Sequence, residues 1–206
     1  MNGLLLTWCG AAFFGLAAPA QAQVSRFTGS LVYALVPISS SVLVPANGPG
    51  GSGPLERQTR DDRSFLYTAS LGYDAPLVAL GAEQSLGVSL NAGLGLLVPP
   101  AALTEVLANP LVLDLPQYAV YRYGAKSGKH SQKDFGLGLG LGYRFCRYTV
   151  PFSAPSALLE GVFSTARTDW FVRLSADLRA SESAVGTAGT ETVMLRQFAV
   201  AFGKSF

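Results

Sequence analysis

One histidine stands in this chain, and a serine follows it. His130 lies in Lys126-Ser-Gly-Lys129-His130-Ser131-Gln-Lys133, with Asp134 next along. A histidine base, a serine nucleophile and a carboxylate such as Asp134 or Glu160 are the parts of an acyl-transfer site. The spacing argues against that use. Consecutive residues on a strand point to opposite sides, so His130 and Ser131 would not converge on one substrate. The lysine-rich run is read instead as a solvated connection between two elements.

A second group of residues has more claim to a shared site. Asp74, Arg122, Arg144, Glu160, Arg173, Asp177 and Arg179 each fall inside, or next to, a stretch of alternating apolar residues, on the face opposite the large side chains. Charges on an enclosed face need partners, because an unpaired buried charge is costly. Ion pairs with trapped water are expected, making a plugged interior rather than a proton or ion path. Arg57, Arg60, Asp61, Asp62 and Arg63 form a mixed-charge rim on the first connection, read as solubilising, with divalent-cation or lipopolysaccharide contact as the alternative. No cluster of metal-ligand residues, phosphate-binding loop or nucleophile elbow is present in the sequence, so no metal and no cofactor is expected.

The elements that carry these residues are strands of period two. In Phe135-Gly-Leu137-Gly-Leu139-Gly-Leu141-Gly-Tyr143-Arg-Phe145 every odd position is large and apolar, and the even ones are Gly or Arg. A glycine-lined face makes a poor soluble core. In a small transmembrane barrel the large residues face lipid and the narrow lumen takes small or polar ones. Eleven residues with aromatics at both ends match a tilted span between two interfaces. The same alternation runs through Phe27 to Leu35, Phe65 to Tyr73, Leu86 to Val98 and Trp170 to Leu178. It is weaker at 115–124, where Ala119, Tyr121 and Tyr123 point out and Arg122 in. It is weaker too at 157–165, where Leu159, Gly161 and Phe163 point out and Glu160 in.

The tail Phe198-Ala-Val200-Ala-Phe202-Gly203-Lys-Ser-Phe206 supplies an eighth strand, with Phe198, Val200, Phe202 and Phe206 on one face. Connections are read at 39–62, near Gly81, at 99–114, 125–133, 147–156, around Ala166-Arg167, and at 181–190. Odd connections are long and even ones short. That asymmetry puts both termini on the periplasmic side of an outer membrane.

The N-terminus agrees with export. Met1 to Ala18 is uncharged and apolar, and Ala20-Gln21-Ala22 fits a small-x-small cleavage site, though no Lys or Arg precedes the apolar run. Residues 1–22 are read as a signal peptide and 23–206 as one domain. Cys9 would leave with the leader; Trp8 before it does not suit a lipoprotein site. That leaves Cys146 alone, so an internal disulfide is not expected. Charged residues make up 14% of the chain and the formal net charge is +2. Neither this charge nor any basic cluster argues for nucleic acid.

Taken together, the leader, the alternation and the terminal aromatic strand resemble small eight-stranded outer-membrane β-barrels of the OmpA/OmpX type, the porin family in the broad sense. The resemblance is one of architecture and covers 23–206; no subfamily motif is matched, and Lys204 departs from the usual hydrophobic third from the end. It implies an all-β, antiparallel, up-and-down transmembrane barrel of eight strands after a cleaved signal peptide. It implies a bacterial outer-membrane location and contact with outer-membrane lipids and lipopolysaccharide. It also implies a terminal signature of Phe198, Val200, Phe202, Gly203 and Phe206 read by the barrel-assembly machinery, and a monomer. Some such barrels deacylate lipid A with His, Ser and an acid. The turn that carries His130 falls at the periplasmic end, away from the outer leaflet, so no enzymatic activity is expected. A structural or surface-interaction role through long outer loops is the reading, with a narrow solute pore as the alternative.

Overall fold

A computed structural model describes residues 25–46, 53–98, 110–128, 131–148, 151–165, 168–185 and 191–206. Both the leader and His130 lie outside the described residues. Ten strand segments follow in order: β1 (Arg26–Pro45), β2 (Leu55–Gly81), β3 (Gln84–Val98), β4 (Leu111–Gly124), β5 (Phe135–Arg147), β6 (Pro151–Ser164), β7 (Asp169–Asp177), β8 (Ser181–Val185), β9 (Glu191–Leu195) and β10 (Phe198–Ser205). Each of β1 to β6 pairs antiparallel with the next, β7 pairs with β10, and β10 pairs back to β1. The ring therefore closes on eight strands, as the alternation predicts. In β1, residues 28–35 face 205–198 of β10, and the Phe206 amide donates to the Phe27 carbonyl at 2.9 Å. Up to the level of Ser156↔Asp177, closure leaves no strand edge along the wall, which is what backbone in hydrocarbon requires.

The two extra segments arise because the seventh and eighth staves are each interrupted. β8 and β9 form a hairpin that extends β7 and β10 outward, and β9 runs along residues 38–42 of β1. Several expected connections prove to be strand. β1 and β2 stay in register from Arg26↔Asp74 to Pro45↔Leu55, so most of 39–62 is a ribbon projecting past the barrel. β4 begins at Leu111 and β6 at Pro151, ahead of the loop ends read from the sequence. Lipid patterns only the strand it touches. Beyond the membrane both faces of a ribbon are wet, and period two fades from the sequence.

The outer wall is apolar between two aromatic belts. At the end where the described chain begins and finishes, Phe27 packs on Tyr73 (5.4 Å between centroids), Phe135 on Phe163 (5.3 Å) and Trp170 on Phe202 (5.4 Å). At the other end Tyr33 meets Phe65 and Tyr67, and Tyr143 meets Phe145. Between them Leu31, Leu71 and Leu94 are 72%, 73% and 70% exposed. An apolar belt so continuous is not the surface of a soluble monomer. With polar groups inside and girdles at both rims, this is the fold of a small outer-membrane barrel.

Candidate functional site

Within the ring, the inward parity of each strand stacks the lumen into layers. The lowest is nearest the chain ends. There Arg122 of β4, Gly138 of β5, Glu160 of β6 and Arg173 of β7 form one cross-strand row. Gly138 is the reason the row works. A Cβ there would lie 3.1 Å from the Glu160 Cβ, so glycine lets Arg122 reach across β5. Arg122 donates through Nε to Glu160 Oε1 at 2.9 Å and through Nη2 to Asp74 Oδ1 at 3.1 Å. Arg173 donates through Nε to Glu160 Oε2 at 2.6 Å and through Nη2 to Asp74 Oδ2 at 2.8 Å, and through Nη1 to Asn91 at 3.0 Å. Each carboxylate thus bridges both guanidiniums, with Glu160 fully buried and Asp74 and Arg122 nearly so.

A fifth charge joins them from outside the strands. Lys126, in the turn after β4, has a φ of 68° and turns its amine into the lumen. Its Nζ contacts Asp74, lies 3.9 Å from Glu160 and sits 4.8 Å from the Phe171 ring centre. The reading of this turn as a solvated connection is therefore corrected: Lys126 and Ser127 are buried. Burial lowers the Lys126 amine to about 8, against partial compensation from Glu160 and Asp74.

A second ionic layer lies farther out. Arg144 donates through Nε to Asp177 Oδ1 at 3.0 Å, Asp177 also accepts from the Gln197 amide at 2.8 Å, and Asp114 sits 3.9 Å from Arg144 Nη1. That last distance is an ion pair without a hydrogen bond. Between the layers is a cavity of about 40 Å³ whose lining includes Ser30, Thr68, Asn91 and Tyr118. Its volume suits about three waters. Above Arg144 the lumen turns apolar. Val36, Ile38, Leu66, Leu97, Val112 and Phe152 are packed in one buried cluster, with Cys146 among them.

Six of the seven expected interior charges are thus where parity puts them. Arg179 is the exception. It is exposed, because β7 ends at Asp177 and the chain leaves the ladder before Arg179. Asp114 and Lys126 were missed, one read as loop and the other as turn. The apolar outer plug was not foreseen either; the expectation was of small or polar residues throughout. At the terminal strand Phe198, Val200, Phe202 and Phe206 face outward and Gly203 inward, against Phe171.

Of the acyl-transfer parts, Ser131, Asp134 and Glu160 are described. Ser131 Oγ donates to Glu83 Oε2 at 2.6 Å and lies 2.8 Å from the Gly124 carbonyl, tying the β2–β3 turn to the β4–β5 turn. That bond holds the Glu83 carboxyl below the ordinary carboxylate range. Glu160 is engaged in the lumen and Asp134 is exposed. Among the described residues no three of His, Cys, Asp or Glu are grouped to hold a metal.

No family model matches this chain, and no curated protein matches it. Among solved structures it is similar to the outer membrane protein OprG from Pseudomonas aeruginosa, at 12% identity over 89% of this chain and 97% of that one, with a TM-score of 0.47. It is similar to Neisserial surface protein A at 12% identity, over 84% and 95% of the two chains, with a TM-score of 0.39. It is similar to the attachment invasion locus protein Ail of Yersinia pestis at 9% identity, over 88% and 99%, with a TM-score of 0.23. The barrel assignment here rests on the closed ladder and the two girdles.

Proposed function

We propose that this is a non-enzymatic protein of the bacterial outer membrane, a stoppered barrel whose task is carried by its wall and outer ribbon rather than by its lumen. The observation that supports this most directly is the layered interior. Two ionic layers and an apolar plug occupy successive levels of one narrow tube, with room between them for only a few waters. A hydrated ion would have to displace both guanidinium bridges and then enter the apolar layer. The β1–β2 ribbon, carrying Arg57, Arg60, Asp61, Asp62 and Arg63, is the largest described surface beyond the outer girdle. Reconstitution in a planar bilayer tests the reading: no steady single-channel current is expected, and a stable conductance at neutral pH would overturn it. Comparing lipid A by mass spectrometry with and without the protein tests the absence of catalysis.

A second reading has its own support. The wall is not laddered all the way up. Above Ser156↔Asp177 no ladder pair joins β6 to β8 among the described residues. Only the Ser153 amide to Ser181 Oγ (3.0 Å) and the Leu178 amide to the Pro155 carbonyl (2.8 Å) cross there. Ser153 and Pro155 turn their backbone groups toward this seam, and so by parity does Pro151. Two of those three residues are proline and have no N–H to leave unpaired. This seam supports the alternative of a narrow path for a small apolar solute, leading sideways between the plug and the membrane. Uptake of such a solute by vesicles containing the protein, abolished by a disulfide across the seam, tests it.

A further inference from the structure

The outer wall carries an apolar groove directly beneath a group of arginines. The groove has a volume of about 580 Å³. Its floor is Ala157 and Ala176, paired in register, and its walls include Leu159, Leu174, Phe198 and Val200. Two alanines side by side, where neighbouring positions carry Leu or Phe, make a trough in an otherwise filled lipid-facing surface. Its apolar lining suits acyl chains, but that alone would not select one lipid from another.

The selection comes from the rim above. Arg196, one pleat outward from Phe198, lies 5.0 Å over that ring and donates through Nε to the Asp177 carbonyl at 2.9 Å. The guanidinium is thereby held at the mouth of the groove. Its backbone amide donates to the Pro37 carbonyl at 3.3 Å, and Pro37 is opposite Arg63 in β2. Arg63 and Arg196 therefore flank one strand, their Cα atoms about 10 Å apart at the usual strand spacing. Arg179 is exposed on the other side of Arg196, just beyond Leu178. On the neighbouring ribbon Asp62 pairs with Arg60 at 2.8 Å, while Asp61, two residues from Arg63, accepts from Ser39 at 2.5 Å and keeps its charge beside the three arginines. The outward carboxylate Glu182, opposite Met194, stands one pleat farther from the membrane. Three guanidiniums at the interface, above an apolar trough, match an acylated lipid whose headgroup carries more than one phosphate.

We propose that Arg63, Arg179 and Arg196 with the Ala157–Ala176 groove form a binding site for lipid A, the phosphorylated, acylated sugar of the outer leaflet. The site rests on the outer-membrane reading above, with the β1–β2 ribbon outside. Each arginine at a charged lipid surface contributes about fivefold in affinity, so losing all three weakens binding by about tenfold to a hundredfold. The test uses the full chain folded in detergent, with lipid A, dephosphorylated lipid A and phosphatidylglycerol as probes and native mass spectrometry as readout. Lipid A is expected to bind in preference to the other two, and R63Q/R179Q/R196Q to lose that preference. Arg147→Gln, exposed at the outer end of β5 and across the ring from the three arginines, is expected to keep it. Ala157→Phe, which fills the trough and leaves every arginine in place, is expected to weaken lipid A as well. Equal binding of dephosphorylated lipid A, or a triple variant that binds as the parent does, overturns the site. Gel mobility with and without boiling is read on every sample. A parent that shows no heat-dependent shift and fractionates away from the membrane sinks the outer-membrane reading itself. A shifting, membrane-bound parent without lipid A preference sinks only this site.

Discussion

Replacing Glu160 with glutamine keeps the size of the side chain and removes one of two carboxylates from the lower ionic layer. In the parent, Arg122, Arg173 and Lys126 face Asp74 and Glu160, a formal excess of one positive charge when Lys126 is protonated. In the variant three cations share Asp74 alone. Breaking a buried pair from one side costs about 3–5 kcal/mol. The two arginines cannot shed a proton, but Lys126 can, since burial has already brought its amine to about 8. Discharging it at pH 7 costs about 1.4 kcal/mol per pH unit below that value, which holds the expected loss near the lower bound, about 3 kcal/mol. The assay is urea unfolding of the barrel in vesicles, followed by fluorescence of Trp170, which lies in the girdle on the outer wall. Adding Arg122→Gln to Glu160→Gln restores the parent's excess of one charge and is expected to recover more than about 1 kcal/mol of coupling. A single variant that loses under about 1 kcal/mol, with no gain in the double, would refute the reasoning: the layer would then be hydrated and its charges independent.

Further predictions follow from other parts of the barrel. Lys126 binds a proton less readily folded than unfolded, so between its lowered value near 8 and the ordinary 10.5 stability rises with pH, and below 8 the full penalty is present. Lys126→Met, measured by the same unfolding assay, is expected to flatten that rise. Gly142 faces the lumen with the Gln117 backbone carbonyl where a Cβ would go. Gly142→Ala must therefore part β4 from β5, and is expected to cost more than about 2 kcal/mol and reduce the heat-modifiable band. Gly81→Ala, with nothing within 4 Å, is expected to leave that band unchanged. Removing Phe206 deletes its amide bond to Phe27 and its ring beneath Lys204. The fraction of chains reaching the membrane-embedded, heat-modifiable form is expected to fall.

What the sequence made legible was whatever the bilayer had written into it. Leu137, Leu139 and Leu141 alternate with glycine because one side is lipid and the other a narrow lumen, and that rule also placed Arg122, Arg144, Glu160 and Arg173 correctly. Where lipid is absent the rule fails. In the outer half, Val36, Ile38 and Leu66 fill the lumen while Leu35 and Phe65 face outward, so both faces are apolar and parity alone does not reveal a plug. Arg179 followed the alternation on paper, but the ladder stops at Asp177. Lys126 was illegible for a different reason. Its role depends on a positive φ that sends a turn residue back into the lumen, and nothing in a run of lysines, serine and glycine announces that. The groove at Ala157 and Ala176 was hidden because small residues on a wall look like a weak strand signal until their register is known.

The closing ladder between β1 and β10 has one more consequence. Its partners, from Thr28↔Ser205 to Leu35↔Phe198, come from opposite ends of the described chain. Bringing such distant segments together carries the largest loop-closure entropy of any pairing in the molecule. Every other ring ladder except β7–β10 joins neighbours in sequence and forms locally. The β1–β10 seam is thus expected to close last, and until it forms β1 and β10 are two open edges facing hydrocarbon. A catalyst that held those two edges would shorten the lifetime of that state without altering the finished barrel.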